Sequence, residues 1–175
     1  RPTSRKGSDI FHDLTITFEE AALGAEKMFT IQRNGVKEQT NIKIPPGISE
    51  GKKLRLAGKG SPSPFGGKPG DLYFKVHVQS HPLFHREKNN IILDHKLNFI
   101  DALLGATIKV PTLAGEKSVT VPPCTQNNSK LRLKGMGISS PSGKGDQLVR
   151  IIVKLPKKLT KKQKELLQQL KETGL

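Results

Sequence analysis

Hydrophobic and polar residues alternate with a period of two along most of the chain. Leu14, Ile16 and Phe18 are separated by Thr15 and Thr17, Phe29 and Ile31 by Thr30, and Ile42 and Ile44 by Lys43. Leu54 and Leu56 flank Arg55, while Phe74, Val76 and Val78 alternate with Lys75 and His77. Such runs predict strands with one covered face. Clusters of glycine and proline punctuate them at Pro45–Gly47, Gly58–Gly60, Pro62–Gly70, Pro122-Pro123 and Gly143–Gly145. Helical signals are short. Glu19–Leu23 before Gly24 and Ile100–Leu104 before Gly105 allow a turn or two each. The end of the chain differs: Thr160 and Gln163 have capping-box spacing, Leu166, Leu167 and Leu170 form a narrow apolar stripe, and Gly174 is a stop. A helix this short is marginal alone, so the stripe needs either its own body or a second copy of the chain.

The pattern occurs twice. LTITFEEAALGA (Leu14–Ala25) matches HKLNFIDALLGA (His95–Ala106), and IPPG (Ile44–Gly47) matches VPPC (Val121–Cys124). LRLAGKG (Leu54–Gly60) matches LRLKGMG (Leu131–Gly137), and GDLYFKV (Gly70–Val76) matches GDQLVRI (Gly145–Ile151). Four blocks in one order predict a mainly β protein of two tandem related small β-sandwich domains with short helical turns, plus a C-terminal helix. The expected divisions are a linker remnant at 1–8, a first domain at 9–80, a second at 81–155 and the helix at 156–175. Each core is thin at this size, so packing of one copy on the other would add stability.

The 175 residues suit that division. No apolar run approaches the roughly 18 residues of a membrane span, and the N-terminus does not read as a signal peptide. These features predict a soluble cytoplasmic protein with no membrane partner. A single cysteine, Cys124, excludes an internal disulfide and a cysteine zinc site. The net charge of +15 is spread along the chain and dense only at Lys157, Lys158, Lys161, Lys162 and Lys164. It reads as a solvated surface or as attraction to an anionic partner. Lysine outnumbers arginine 23 to 7, which disfavours bidentate reading of base edges.

Catalytic chemistry is hard to assemble from these residues. His12, His77, His81, His85 and His95 lack ligand spacing, Cys124 has no evident base, and Glu19 and Glu20 are adjacent rather than paired across a site. There is no phosphate-binding glycine motif. The chain reads as a non-enzyme with no metal and no cofactor. Binding is easier to argue, because β units with exposed edges can take an extended peptide as an added strand. The first copy is richer in large apolar residues at alternating sites (Leu14, Ile16, Phe29, Ile31, Phe74) than the corresponding Thr107–Pro111 segment of the second. Spacing alone leaves open whether these line a groove or fill a core.

The segments DLTITFEEAALGAEKMFTI, IPPGISEGKKLRLAGKG, GDLYFKVHVQSHPLFHRE, FIDALLGATIKVPTLAGE and KGDQLVRIIVKLP resemble the C-terminal region of DnaJ/Hsp40 co-chaperones over about residues 9–172. The zinc-free class, similar to curved DNA-binding proteins, is the nearer type, since Ile31–Ile42 continues as a hairpin where a cysteine-rich insert would sit. The resemblance implies a fragment that binds non-native polypeptides in a groove of the first domain, formed by Leu14, Ile16, Lys27, Phe29, Ile31 and Phe74. It also implies a V-shaped homodimer joined through Leu166, Leu167 and Leu170, and delivery of clients to Hsp70. Two departures stand out. His85–Asn90 reads HREKNN where the family has a KRDG-like turn, and the Hsp70-stimulating J domain is absent, leaving Arg1–Ser8 as linker. The alternative is non-specific DNA binding through the basic surface, with nucleoid association.

Overall fold

The computed structural model describes residues 5–33 and 35–174, so residues 1–4 of the expected linker lie outside it. The first repeat contains β1 (Ile10–Ile16), α1 (Phe18–Leu23), β2 (Ala25–Arg33), β3 (Val36–Ile44), β4 (Lys53–Leu56) and β5 (Leu72–Val78). The second contains β6 (Phe84–Glu87), β7 (Asn90–Asn98), α2 (Phe99–Leu104), β8 (Ala106–Thr112), β9 (Gly115–Val121), β10 (Lys130–Leu133), β11 (Ser139–Ser140), β12 (Gly143–Lys144) and β13 (Gln147–Lys154). The tail helix α3 spans Lys161–Glu172.

The same topology recurs. β1 lies parallel to β5, which pairs antiparallel with β4, giving the order β1-β5-β4. β7, β13 and β10 repeat this arrangement, and β6 adds to the free side of β7 to give β10-β13-β7-β6. Each repeat packs a hairpin, β2-β3 or β8-β9, against its sheet, and a small β11-β12 hairpin lies beside the second. The protein is mainly β, in two related two-layer units with a C-terminal helix.

Local chemistry accounts for the repeated blocks. Thr17 caps α1 in a capping box with Glu20, and Gly24 ends it at φ 78°, where a side chain would meet the Ile44 carbonyl. The Asp71 carboxylate accepts Gly58 N–H at 2.9 Å and binds Arg55 and Lys6, all at the start of β5. Asp146 repeats this with Gly135 N–H at 2.7 Å and Arg132. The Gly58 N–H, followed by the cations, holds the Asp71 pKa down at about 2. The LRLxGxG and Gly-Asp blocks are thus two ends of one turn-locking contact.

Two apolar clusters form the cores. One gathers Leu14, Ile16, Ile31, Ile42, Ile44, Leu72, Phe74 and Val76. The other gathers Phe84, Ile91, Leu93, Leu97, Val110, Val121, Val149 and Ile151. Full burial of each such side chain contributes roughly 1.5–3 kcal/mol. Phe18 and Ala22 of α1 belong to the second cluster, so the first unit's helix helps to close its neighbour's core. Arg86 of β6 reaches the other way and donates to the carbonyls of Ile48 at 2.6 Å and Gly47 at 2.8 Å.

The unusual HREKNN segment resolves into the end of β6, a two-residue turn and the start of β7, with Glu87 opposite Asn90. Lys88 takes φ 57°, a left-handed conformation that glycine adopts freely. Among the described residues no helix is long and apolar enough to cross a membrane.

Candidate functional site

The hairpin β2-β3 closes with Arg33 opposite Val36, leaving two residues for the turn. The pair closing such a turn is hydrogen-bonded, and hydrogen-bonded pairs then alternate along the ladder. The backbone N–H and C=O groups of Glu26, Met28, Thr30 and Gln32 therefore point away from β3, towards the outer edge of β2. No strand pairs with that edge among the described residues, nor with the outer edge of β1.

Beside the β2 edge is an aromatic corner. Phe29 projects from the inner face of β2, half-buried, and meets Phe74 of β5 edge-to-face at 4.8 Å between ring centroids. The His12 ring of β1 lies 5.6 Å from Phe29 and 6.1 Å from Phe74. Across the hairpin from Phe29, the buried Thr40 hydroxyl has no hydrogen-bond partner among the described residues. Lys27, one inward position before Phe29, pairs with Glu20 of α1 at 2.9 Å. The Lys27 ammonium first, and the Thr17 N–H second among the favourable contacts, hold the Glu20 carboxyl below its usual range. Met28 is exposed on the opposite face of β2.

The six residues expected to line a groove fall into two groups. Leu14, Ile16, Ile31 and Phe74 are core residues, each 5% exposed or less. They occupy the inward positions of strands whose two layers close on one another, so they fill the core rather than line an open wall. Lys27 and Phe29 are partly exposed and stand at the surface. A cleft of about 580 Å³ lies elsewhere, between the units, lined by residues that include Phe18, Glu50, Val78, Arg86 and Ile138. His12 was missed because a lone histidine without ligand spacing reads as filler. The available signal was its place two residues before Leu14, on the same alternating face.

The tail helix has the capping box read from Thr160 and Gln163. None of its residues is buried: Leu166 is 55% exposed, Leu170 39%, and Leu167 half-buried. Among the described residues the apolar stripe is therefore only partly covered by the helix's own chain. Among the described residues no cluster of three or more His, Cys, Asp or Glu side chains could hold a metal ion.

Comparison with known proteins covers nearly the whole chain. It is 46% identical over 138 residues to a protein named Chaperone protein DnaJ from Exiguobacterium, a match spanning 78% of this chain and 38% of the relative. A protein of the same name from Rhodopirellula baltica is also 46% identical over 138 residues, covering 35% of its own length. A Coxiella burnetii protein named Curved DNA-binding protein is 38% identical over 179 residues, spanning 96% of this chain and 56% of the relative. The chain thus corresponds to between about a third and somewhat over half the length of these relatives. The sequence pattern described as the DnaJ C terminal domain runs through residues 10–156, from the first residue of β1 to just beyond β13, and the chain belongs to that family.

Proposed function

We propose that the chain is the client-binding part of a DnaJ-type co-chaperone, which captures extended, non-native polypeptide segments by strand addition to the outer edge of β2. The observation that carries this reading is the unpaired β2 edge beside Phe29, which stands half-exposed on the buried Phe74 ring. Main-chain bonds to Met28 and Thr30 supply sequence-independent affinity. Outward rotation of Phe29 and His12 opens the floor of Leu14, Ile16, Ile31 and Phe74 to a client side chain. Burying one Leu-sized group there contributes roughly 1.5–3 kcal/mol, suited to weak and promiscuous capture. Lys27 attracts acidic flanking residues when it leaves Glu20.

Residues 9–80 act as the binding domain, 81–155 as a spacer and 156–175 as the dimer contact. Leu166, Leu167 and Leu170 pack on a second copy, and two edges on one dimer raise the apparent affinity for long unfolded chains. In the longer protein an attached J domain passes the client to Hsp70.

Thr30→Pro tests the edge without touching the core. It removes an outward N–H, and the second repeat already carries Pro111 at the matching position. The expected result is loss of aggregation suppression for an unfolded client with thermal stability retained. A folded variant that still suppresses aggregation as the parent does would sink the reading.

A second reading draws on the name of the Coxiella burnetii relative and on the +15 charge. In it, lysines contact phosphates with little base readout. Binding of random-sequence duplex DNA then weakens steeply as salt rises, and absence of binding at low salt removes this reading.

A further inference from the structure

The second unit contains the counterpart of the β2 edge, and we infer that Pro111 and Gln147 hold it shut, confining client capture to the first unit; this rests on the reading of β2 as the acceptor strand. The hairpin β8-β9 closes with Thr112 opposite Gly115 across a two-residue turn. The Pro111–Glu116 pair is consequently a non-hydrogen-bonded one, and the Pro111 nitrogen and carbonyl point to the outer edge. Thr30 occupies the same place on β2, opposite Gln39.

Neither group that an incoming strand would use at Pro111 is free. Proline has no N–H. Its carbonyl accepts a hydrogen bond from Gln147 Nε2 at 2.8 Å. Gln147 opens β13 and is fully buried, and its other amide atom, Oε1, has no hydrogen-bond partner among the described residues. The matching residue of β5 is Leu72, equally buried and apolar. A primary amide therefore stands in the second core where the first holds an aliphatic side chain. It remains half-satisfied, and its hydrogen bond to Pro111 reaches the back of an edge strand. An unsatisfied buried acceptor costs stability. What the side chain achieves in return is closure of an edge that would otherwise template pairing with another chain.

The surroundings agree. Positions 12, 29 and 74 of the aromatic corner correspond to Leu93, Val110 and Val149, all buried. The strand β6 also covers the flank of β7, with Phe84 set opposite Leu93.

Four full-length versions of this chain separate the two ideas: the parent, Thr30→Pro, Pro111→Thr with Gln147→Leu, and all three substitutions together. The probe is a fluorescein-labelled peptide of alternating leucine and threonine, followed by anisotropy. Comparing the parent with Thr30→Pro tests the β2 reading. Comparing the triple variant with Thr30→Pro tests the lock, whatever the first comparison gives. The inference expects the triple variant to bind about tenfold more tightly than Thr30→Pro, as two regained hydrogen bonds would provide. A folded triple variant that binds no better overturns it. If Gln147→Leu prevents folding, Gln147→Met keeps the volume and removes the amide. Failure of that version to fold as well assigns Gln147 a purely structural role and also overturns the inference.

Discussion

The two halves of this protein share a plan and differ at their margins. In the first, β1 and β2 both present an outer edge with no paired strand among the described residues. In the second, β6 covers β7, a proline removes an outward N–H from β8, and a buried glutamine binds the β8 backbone. Edge strands are a liability that folded proteins usually blunt. Here one copy is blunted three times over, while the other keeps a half-exposed phenylalanine beside its open edge. The contrast teaches that the open edge is a retained feature of one repeat, since the same framework has ways to close it.

The largest expected effect tests what the halves have in common. Gly70 and Gly145 precede the two turn-locking aspartates, and each sits where backbones touch. A Cβ on Gly145 would lie 1.8 Å from the Asn89 carbonyl oxygen, and one on Gly70 2.0 Å from that of Ser8. The obstacles differ in how firmly they are held. Asn89 is fixed through Ile138 N–H, Ser142 and the Gly143 carbonyl. Ser8 belongs to a strap anchored on Lys68 and Ser61. Gly145→Ala should therefore cost about 3 kcal/mol or prevent folding, and Gly70→Ala about 1–2 kcal/mol, by urea denaturation. Equal costs would show the strap to be as rigid as the turn.

Much of this was legible in the sequence, and the reason lies in particular residues. The repeated blocks stand out because identical residues perform identical tasks, as Gly58 and Gly135 do for Asp71 and Asp146. Alternation marked Leu14, Ile16, Ile31 and Phe74 as facing inward. It could not tell floor from mouth, because exposure depends on how closely the opposite layer approaches. Edge status was hidden as well. Phe84–Glu87 is four residues long and mostly polar, so nothing in it announces a strand that covers a flank. Gln147, at the start of an apolar run, shows its role only once the Pro111 carbonyl is found within reach.

The smallest effect concerns pH, and it again divides the halves. Asp13 on β1 and Asp94 on β7 occupy matching positions. Asp94 is held by Arg150 through two contacts of 2.7 Å, and arginine stays charged throughout the accessible range. Asp13 instead meets the Nε2 of His77 at 3.0 Å, while Nδ1 of the same ring faces Glu50 at 2.9 Å. Asp13 first, then Glu50, raise the His77 pKa against the opposing effect of burial. The Glu50 carboxyl is lowered chiefly by the Val78 N–H, so it remains ionised wherever the ring titrates. A raised folded-state value means that the stabilisation is complete below the ordinary histidine pKa of about 6.5 and is lost as pH climbs through the raised value. Burial lowers the pKa of His95 in the second unit, so that ring gives up its proton at lower pH than His77 does. As pH rises from about 6.5 through the raised His77 value, amide exchange in β1 and β5 should accelerate beyond its intrinsic pH dependence, while that in β7 and β13 does not. The effect is small because the groups are exposed, and salt should reduce it further. His77→Gln should abolish the difference between the units. Survival of the difference in that variant would assign the titration to another group.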